Sequence, residues 1–414
     1  MRWAARRRLS PISLRPRGSR VRERKLRLGV AGLGRAFLLM MPGLSRHPDI
    51  QLAAAADPRA EARARFAGDF NARTYETVEA LCADPGVEAV YVATPHQFHA
   101  EHVRIAAEAG KHVLVEKPMA LSLEECGAMI AAVRGAGVHM VVGHSHSFDA
   151  PIQRTRALIA SGAFGRLRMI TAMNFTDFLY RPRRPEELRT EAGGGVVFNQ
   201  APHHVDMVRL LAGGRAKTVR ALTGAWDEAR PTEGAYACLL TFEDGAFASL
   251  VYSGYAHFDS DAFMDGIAES GYPKNPEGYG AARALLRQAH GVGEELAVKN
   301  AHNYGGGKAP AAQAGRRWHQ QFGVLVASCE HADLRPMPNG VAIFEDFDRR
   351  FDPLPEPDVP RKEVLDELCD AVLDGKPGIH NGEWGMATME VCLAMLQSAR
   401  EQRQIVLQHQ VGLP

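Results

Sequence analysis

Lys117 stands near the end of the run GKHVLVEKP, residues 110–118, where an apolar strand is followed at once by an acid, a base and a proline. An ammonium group at a strand end, partly stripped of water beside a fixed carboxylate, hydrogen-bonds a substrate hydroxyl and steadies negative charge as its proton leaves. Pro118 lacks an amide donor and fixes one dihedral, so the turn that carries Lys117 is restricted. Taken alone, Glu116 and Lys117 would suit a solvated loop pair equally well. A second candidate group lies in GGGVVFNQAPHHVD, residues 193–206. Its glycines let the backbone approach a flat ligand, and the residues after them begin a helix on which Asn199 and His203, at i and i+4, share a face. An imidazole there can accept or return a proton.

A nucleotide site is expected at Gly32-Leu33-Gly34, where the first strand turns into a helix opening on Arg35 and Ala36. Backbone amides at such a turn receive a pyrophosphate. Asp57 follows the second strand, 23 residues after Gly34, near the spacing of a carboxylate that binds the adenosine ribose. Phe37 occupies the place of the third glycine, which leaves the close helix–strand approach in doubt. Asp57 favours NAD by repelling a 2′-phosphate, and Arg59 partly offsets that repulsion, so NADP stays possible. Thr94 and Pro95 with His96 and His99, and then Glu116 and Lys117, complete the expected cofactor contacts.

Tyr180 to Arg189 reads YRPRRPEELR directly before the glycine run. Arg181, Arg183 and Arg184 can grip an anionic substrate bidentately, and they equally suit a proline-stiffened solvated loop. His144 and His146 add two imidazoles, but a metal centre needs three or four converging ligands. No convergence is visible in the sequence, and no metal is expected.

The elements that must position these groups are legible as a rhythm. From Leu26 to about residue 147, short apolar strands alternate with helical stretches, as in a parallel sheet covered on both faces. Longer strands such as LRMITAMNFT and GAYACLLTFE follow without intervening helices, implying a largely antiparallel sheet. The fold class is therefore α/β: a Rossmann domain at 26–147, then an α+β substrate and oligomerisation domain at 148–414. Residues 259–316 are glycine-rich, include Gly305-Gly306-Gly307, and read as a mobile insertion.

Composition sets the remaining limits. The 414 residues carry a net charge of +1, but the first 25 hold +9, so the body carries about −8. That basic arm lacks periodicity and aromatic interleaving and reads as a disordered extension, with no nucleic-acid partner expected. Arg6-Arg7-Arg8 is not followed by the apolar stretch an export signal needs. Six scattered cysteines argue against a disulfide framework, and no apolar run reaches the length of about 18 residues that a membrane span requires. A cytoplasmic protein is expected.

Four ordered motifs then carry a resemblance: GVAGLGRAF, ATPHQFHAEHVRIAAEAGKHVLVEKP, GGGVVFNQAPHHVD and WGMATMEVCLAMLQSARE. Together they resemble the Gfo/Idh/MocA oxidoreductases over nearly all of residues 26–408. The resemblance assigns Lys117 to the reacting hydroxyl and His203 to acid/base work. It further implies a homo-oligomer built on the open face of the second sheet. Family members often carry an aspartate four residues before the histidine; here it is Asn199, which cannot support an imidazolium as a carboxylate does. The run from Tyr180 to Asp206, with the long insertion, is similar to the phthalate 4,5-cis-dihydrodiol dehydrogenases. That implies an anionic cyclic diol oxidised to 4,5-dihydroxyphthalate in aromatic catabolism, with hydride passing to nicotinamide. A sugar or inositol dehydrogenase, an NAD-dependent glycosidase and a non-catalytic nucleotide sensor are the alternatives.

Overall fold

Residues 22–289, 291–308 and 315–414 are described by a computed structural model. The basic arm to residue 21 and the insertion's residues 290 and 309–314 lie outside the described residues.

The first sheet runs in parallel through β1 (Leu26–Ala31), β2 (Ile50–Ala56), β3 (Arg73–Tyr75), β4 (Ala89–Val92), β5 (His112–Val115) and β6 (Met140–Val142), in the order β3-β2-β1-β4-β5-β6. Every residue of β4 is buried, as continuous apolar runs must be when helices cover both faces. The order reverses between β1 and its neighbours β2 and β4, so the carboxyl ends there open the crevice where ligands bind in such sheets.

The second sheet has the order β14-β13-β12-β11-β7-β10-β9-β8-β15, with β7 at Leu167–Phe175, β8 at Ala216–Gly224, β9 at Ala235–Phe242, β10 at Phe247–Ser253, β11 at Val324–Cys329, β12 at Ala332–Met337, β13 at Gly340–Glu345, β14 at Arg349–Pro353 and β15 at Ile405–Val406. Only β7 and β10 pair in parallel; the other pairings are antiparallel. Alternate residues of β9 are buried beneath the helices Ala201–Ala212 and Gly382–Glu401, while Leu239 on the other face stays exposed.

Two features depart from a simple division of the chain. The helix Lys362–Asp374 returns to the first domain, burying Val364, Leu365 and Leu368 in one cluster with Leu26, Val30 and Phe37. A boundary at 147 therefore holds for the sheets but not for this helix. Arg22, read as part of the disordered arm, pairs with Asp49 at 2.6 Å, Asp370 at 2.5 Å and Asp374 at 3.1 Å. The fold thus begins before Leu26.

The insertion is fastened at points along its length. Tyr304 is fully buried against Phe37, ring centroids 5.0 Å apart, and its hydroxyl donates to Asp69 at 2.7 Å. Phe37 also meets Phe66 and Phe70, so an aromatic cluster occupies the ground where a glycine was expected. Further back, Ala268 N donates to Tyr272 O and Lys274 N to Gly266 O, closing a small hairpin. Gln321 donates to Asp261 and to the Ile267 carbonyl, and Trp318 N donates to Gly271 O. A Cβ on Gly271, whose φ is +86°, would overlap the Trp318 carbonyl. The described parts of the insertion correct the expectation of a mobile excursion.

Candidate active site

The turn after β1 forms an open cradle. Gly32 has φ +93°, and a Cβ there would stand 2.8 Å from the Ala93 carbonyl oxygen at the end of β4. The helix Arg35–Leu44 starts after Gly34 without a side-chain cap, and no atom lies within 4 Å of where a Cβ of Gly34 would stand. Uncapped first-turn amides beside open space suit a pyrophosphate. Arg35 and Ala36 begin that helix as expected.

Asp57 is buried at the tip of β2 and accepts from Leu33 N at 2.8 Å. Arg59 also donates to it, from Nε at 3.0 Å, and spans to the carbonyls of Leu33 at 2.8 Å and Tyr304 at 3.2 Å. The insertion therefore reaches the ribose end of the cradle through Arg59. This contact was invisible in the sequence.

At the end of β4, Thr94 Oγ1 meets His102, and His99 lies between two carbonyl oxygens, those of Pro118 at 2.9 Å and Thr94 at 3.0 Å. His99 is fully buried and ties the Thr94–Pro95 turn to the Lys117–Pro118 turn. Its place is structural support for the expected cofactor contact. His96 is partly exposed beside it, ring centroids 5.6 Å apart. Glu116 turns inward and accepts from the Tyr91 hydroxyl at 2.5 Å. Burial raises its carboxyl above the ordinary range, against the lowering effect of Tyr91 and the nearby cations.

Lys117 Nζ donates to the backbone carbonyl of Asn199 at 2.8 Å, which joins the two catalytic segments directly. Burial lowers its ammonium pKa, Glu116 and Glu269 oppose that, and Arg361 and Arg183 reinforce it. Arg361, which sequence reading missed, is a non-glycine residue at φ +53° just before the helix Lys362–Asp374. Such backbone strain recurs at functional sites.

The helix expected to carry Asn199 and His203 together is broken. Gly195–Asn199 and Ala201–Ala212 are separate helices because Gln200, φ −121°, leaves the helical region ahead of Pro202. Asn199 spends its amide group on the carbonyls of Gly195 at 2.7 Å and Gly193 at 3.3 Å, so it holds the glycine turn. His203 is buried; its Nδ1 has no hydrogen-bond partner among the described residues. Its ring packs 4.8 Å from His146 and 4.9 Å from Phe322. Burial first, then Lys117, His146, His144 and Arg361, push its pKa well below the usual histidine value.

The three arginines part company. Arg183 is buried over the Phe178 ring at 3.6 Å, its backbone N donates to Glu295 at 2.6 Å and its guanidinium to the Phe178 carbonyl at 2.5 Å. Arg184 pairs with Glu186 at 3.1 Å and Glu187 at 3.7 Å. Only Arg181 stays open: its Nε meets Asp177 at 3.2 Å, its terminal nitrogens are unengaged among the described residues, and its side chain is 40 % exposed. The clamp expected of three arginines reduces to one, because acids at i+3 and i+4 and a buried acid of the insertion take the other two.

His144, His146 and Asp149 bring their donor atoms within 4.8 Å of one another, a convergence the sequence did not reveal. Both nitrogens of His146 already face carboxylates, Asp149 at 2.6 Å and Glu269 at 3.4 Å. No described helix is long and apolar enough to cross a membrane.

Residues 26–144 match the oxidoreductase family with an NAD-binding Rossmann fold, and residues 152–266 match the GFO/IDH/MocA C-terminal domain. The chain belongs to the Gfo/Idh/MocA oxidoreductases. It is 48 % identical over 377 residues, 91 % of this chain and 95 % of the relative, to the 1-carboxy-3-chloro-3,4-dihydroxycyclohexa-1,5-diene dehydrogenase of Comamonas testosteroni. A crystal structure from Bordetella bronchiseptica RB50, described as a dehydrogenase, superposes with TM-score 0.87 at 44 % identity, covering 92 % of this chain and all of that one. The aldose-aldose oxidoreductase of Caulobacter crescentus shares the fold at TM-score 0.69 and 24 % identity, over 93 % of this chain and all of that one. This chain is accordingly an NAD-binding dehydrogenase, with the two-domain α/β architecture its sequence implies.

Proposed function

We propose that the enzyme oxidises a carboxylated cyclohexadiene carrying hydroxyls on adjacent carbons, the class to which phthalate cis-4,5-dihydrodiol belongs. The observation that carries the reading is the Lys117 ammonium held at the Asn199 carbonyl beside a neutral, unpartnered His203, with Arg181 open nearby. The 48 % identity to an enzyme named for a carboxylated diol supports the substrate class. NAD, when bound, accepts hydride from the ring carbinol at nicotinamide C4.

Lys117 donates a hydrogen bond to the reacting hydroxyl and stabilises the oxygen as charge builds on it. His203 accepts the hydroxyl proton, and Arg181 holds a ring carboxylate. The enone product tautomerises to a catechol, and aromatisation draws the oxidation forward. A sugar dehydrogenase would need polar contacts to several hydroxyls, whereas the described cleft offers rings and cations. The deciding assay is NADH formation with cis-4,5-dihydro-4,5-dihydroxyphthalate and with 1-carboxy-3,4-dihydroxycyclohexadiene, against inositol and glucose. Turnover of polyols alone would overturn the assignment.

Arg181→Ala should raise the KM for carboxylated diols on the order of tenfold or more, as loss of a charged hydrogen bond implies. The KM for an uncarboxylated diol should hardly move. Equal increases on both would remove Arg181 from substrate recognition. The alanine variant of Arg184, already satisfied by its own acids, should leave both constants near wild type.

We also propose a homo-oligomer in the cytoplasm. Leu222, Leu239 and Phe247 expose about half their surface on one face of the second sheet, an apolar area that suits a partner copy. The six cysteines are free, in keeping with a reducing compartment. Sedimentation at micromolar concentration should show more than one copy; a monomer would contradict the reading.

A further inference from the structure

Position 199 lacks the carboxylate that would support His203, yet two carboxylates stand one ring away. Asp149 Oδ2 lies 2.6 Å from His146 Nδ1, and Glu269 Oε1 lies 3.4 Å from His146 Nε2. A carboxylate only accepts, so a histidine facing one at each nitrogen satisfies both by carrying both protons. His146 is 1 % exposed, and its ring meets that of His203 edge-on, with centroids 4.8 Å apart. Phe322 stacks on His146 at 4.9 Å and also packs against His203, so the two rings share an apolar wall.

Glu269 reaches this place by design of the insertion. It sits in the small hairpin between Gly266 and Lys274 that Trp318 and Gln321 pin down. The three elements contributing to the arrangement are the turn after β6, the helix Ala201–Ala212 and the insertion.

We propose that Glu269 is a positioning residue: with Asp149 it holds His146 as an imidazolium beside His203, and that charge keeps His203 in its neutral, proton-accepting form. The inference rests on the reading of His203 as acceptor of the hydroxyl proton. Here the site works by a logic opposite to that of a carboxylate–histidine dyad. A carboxylate partner would strengthen His203 as a base and favour its imidazolium; a neighbouring positive charge keeps the ring unprotonated and lets it release each proton it takes.

The charges around the pair agree. Burial alone would lower the His146 pKa, but Asp149 and Glu269 outweigh it and lift the value to about 9. Burial would raise Glu269, and the bond to His146, with Arg181 and Arg361 nearby, brings it down to about 2. His203 faces Lys117, His146, His144 and Arg361, all of which oppose a further proton. His144 and His204 are the other titratable rings against His146, and burial holds both below the ordinary histidine value.

The sign of the pH effect follows. His146 stays charged up to about pH 9, so His203 is neutral through and below neutrality. In Glu269→Gln, His146 should lose its second proton about one pH unit or more lower than in wild type, and Glu269→Asp should restore part of the difference. In His146→Gln, which can carry no charge, His203 should take its proton about one unit higher, and the acidic limb of the kcat/KM profile should move up with it.

The test is a histidine side-chain NMR titration of the full-length protein and these three variants, with pH profiles of NADH formation beside it. A His146 that is neutral at pH 7 in the wild type overturns the proposal, and that measurement needs no variant to fold. So does a His146 titration unmoved by Glu269→Gln, or a His203 titration unmoved by His146→Gln. If the wild type oxidises no diol, the proposed function fails, while the titrations still decide whether Glu269 sets the charge of His146.

Discussion

Lys117→Ala should lower kcat by about a thousandfold or more, within the range that a lost acid/base group produces, while NAD binds almost as before. The ammonium is bonded to a protein carbonyl 2.8 Å away, at the end of β5, and the cradle for the dinucleotide is made by the turn after β1 and the tip of β2. Truncation removes the donor that stabilises the developing alkoxide without touching Gly32, Gly34 or Asp57. The cost in stability should be small, about 1 kcal/mol for the orphaned Asn199 carbonyl. Lys117→Arg should not restore activity, because a planar guanidinium cannot occupy the place of a compact ammonium at this distance. Single-turnover kinetics together with calorimetric titration of NAD separate the two effects. A parallel loss of NAD affinity would reject the catalytic role.

Arg209→Leu should destabilise the enzyme by on the order of 3 to 5 kcal/mol, among the largest single-residue losses a buried group produces. Arg209 is completely buried on the helix that carries His203. It donates to Thr388 at 2.8 Å, the Trp384 carbonyl at 3.1 Å and Gln410 at 3.1 Å, and its guanidinium lies 4.0 Å from the Trp384 ring centroid. Leucine fills part of the volume but leaves these acceptors without donors. Chemical denaturation should show a lower midpoint with an unchanged slope. A shift under 1 kcal/mol would mean that water replaces the guanidinium.

Several of these residues could be read in the sequence, and the reason is local. Gly32, Asp57 and Lys117 each sit where a strand ends, and apolar alternation marks strand ends plainly. Arg183 and Arg184 were read as free because attention fell on their charge, although Glu186 and Glu187 stood within three or four residues and signalled self-pairing. The break at Gln200 was also signalled, by Pro202. Glu269 and Arg361 carried no such mark. Their relation to His146 and Lys117 arises only when segments more than 100 residues distant in sequence fold together, and neither periodicity nor spacing encodes that. The helix Lys362–Asp374 showed an apolar stripe but could not show which domain it would cover.

The insertion touches both halves of the molecule: its hairpin is pinned beside the second sheet, and Tyr304 is buried among Phe37 and Phe66 of the first. It is therefore a tether across the cleft. Rigid separation of the halves would have to strip an aromatic side chain from its socket, at a cost of about 3 kcal/mol or more for an exposed ring of that size. Substrate and product must then pass through a side entrance and not through a jaw that opens wide, which makes the width of that entrance a filter on the size of the ring admitted.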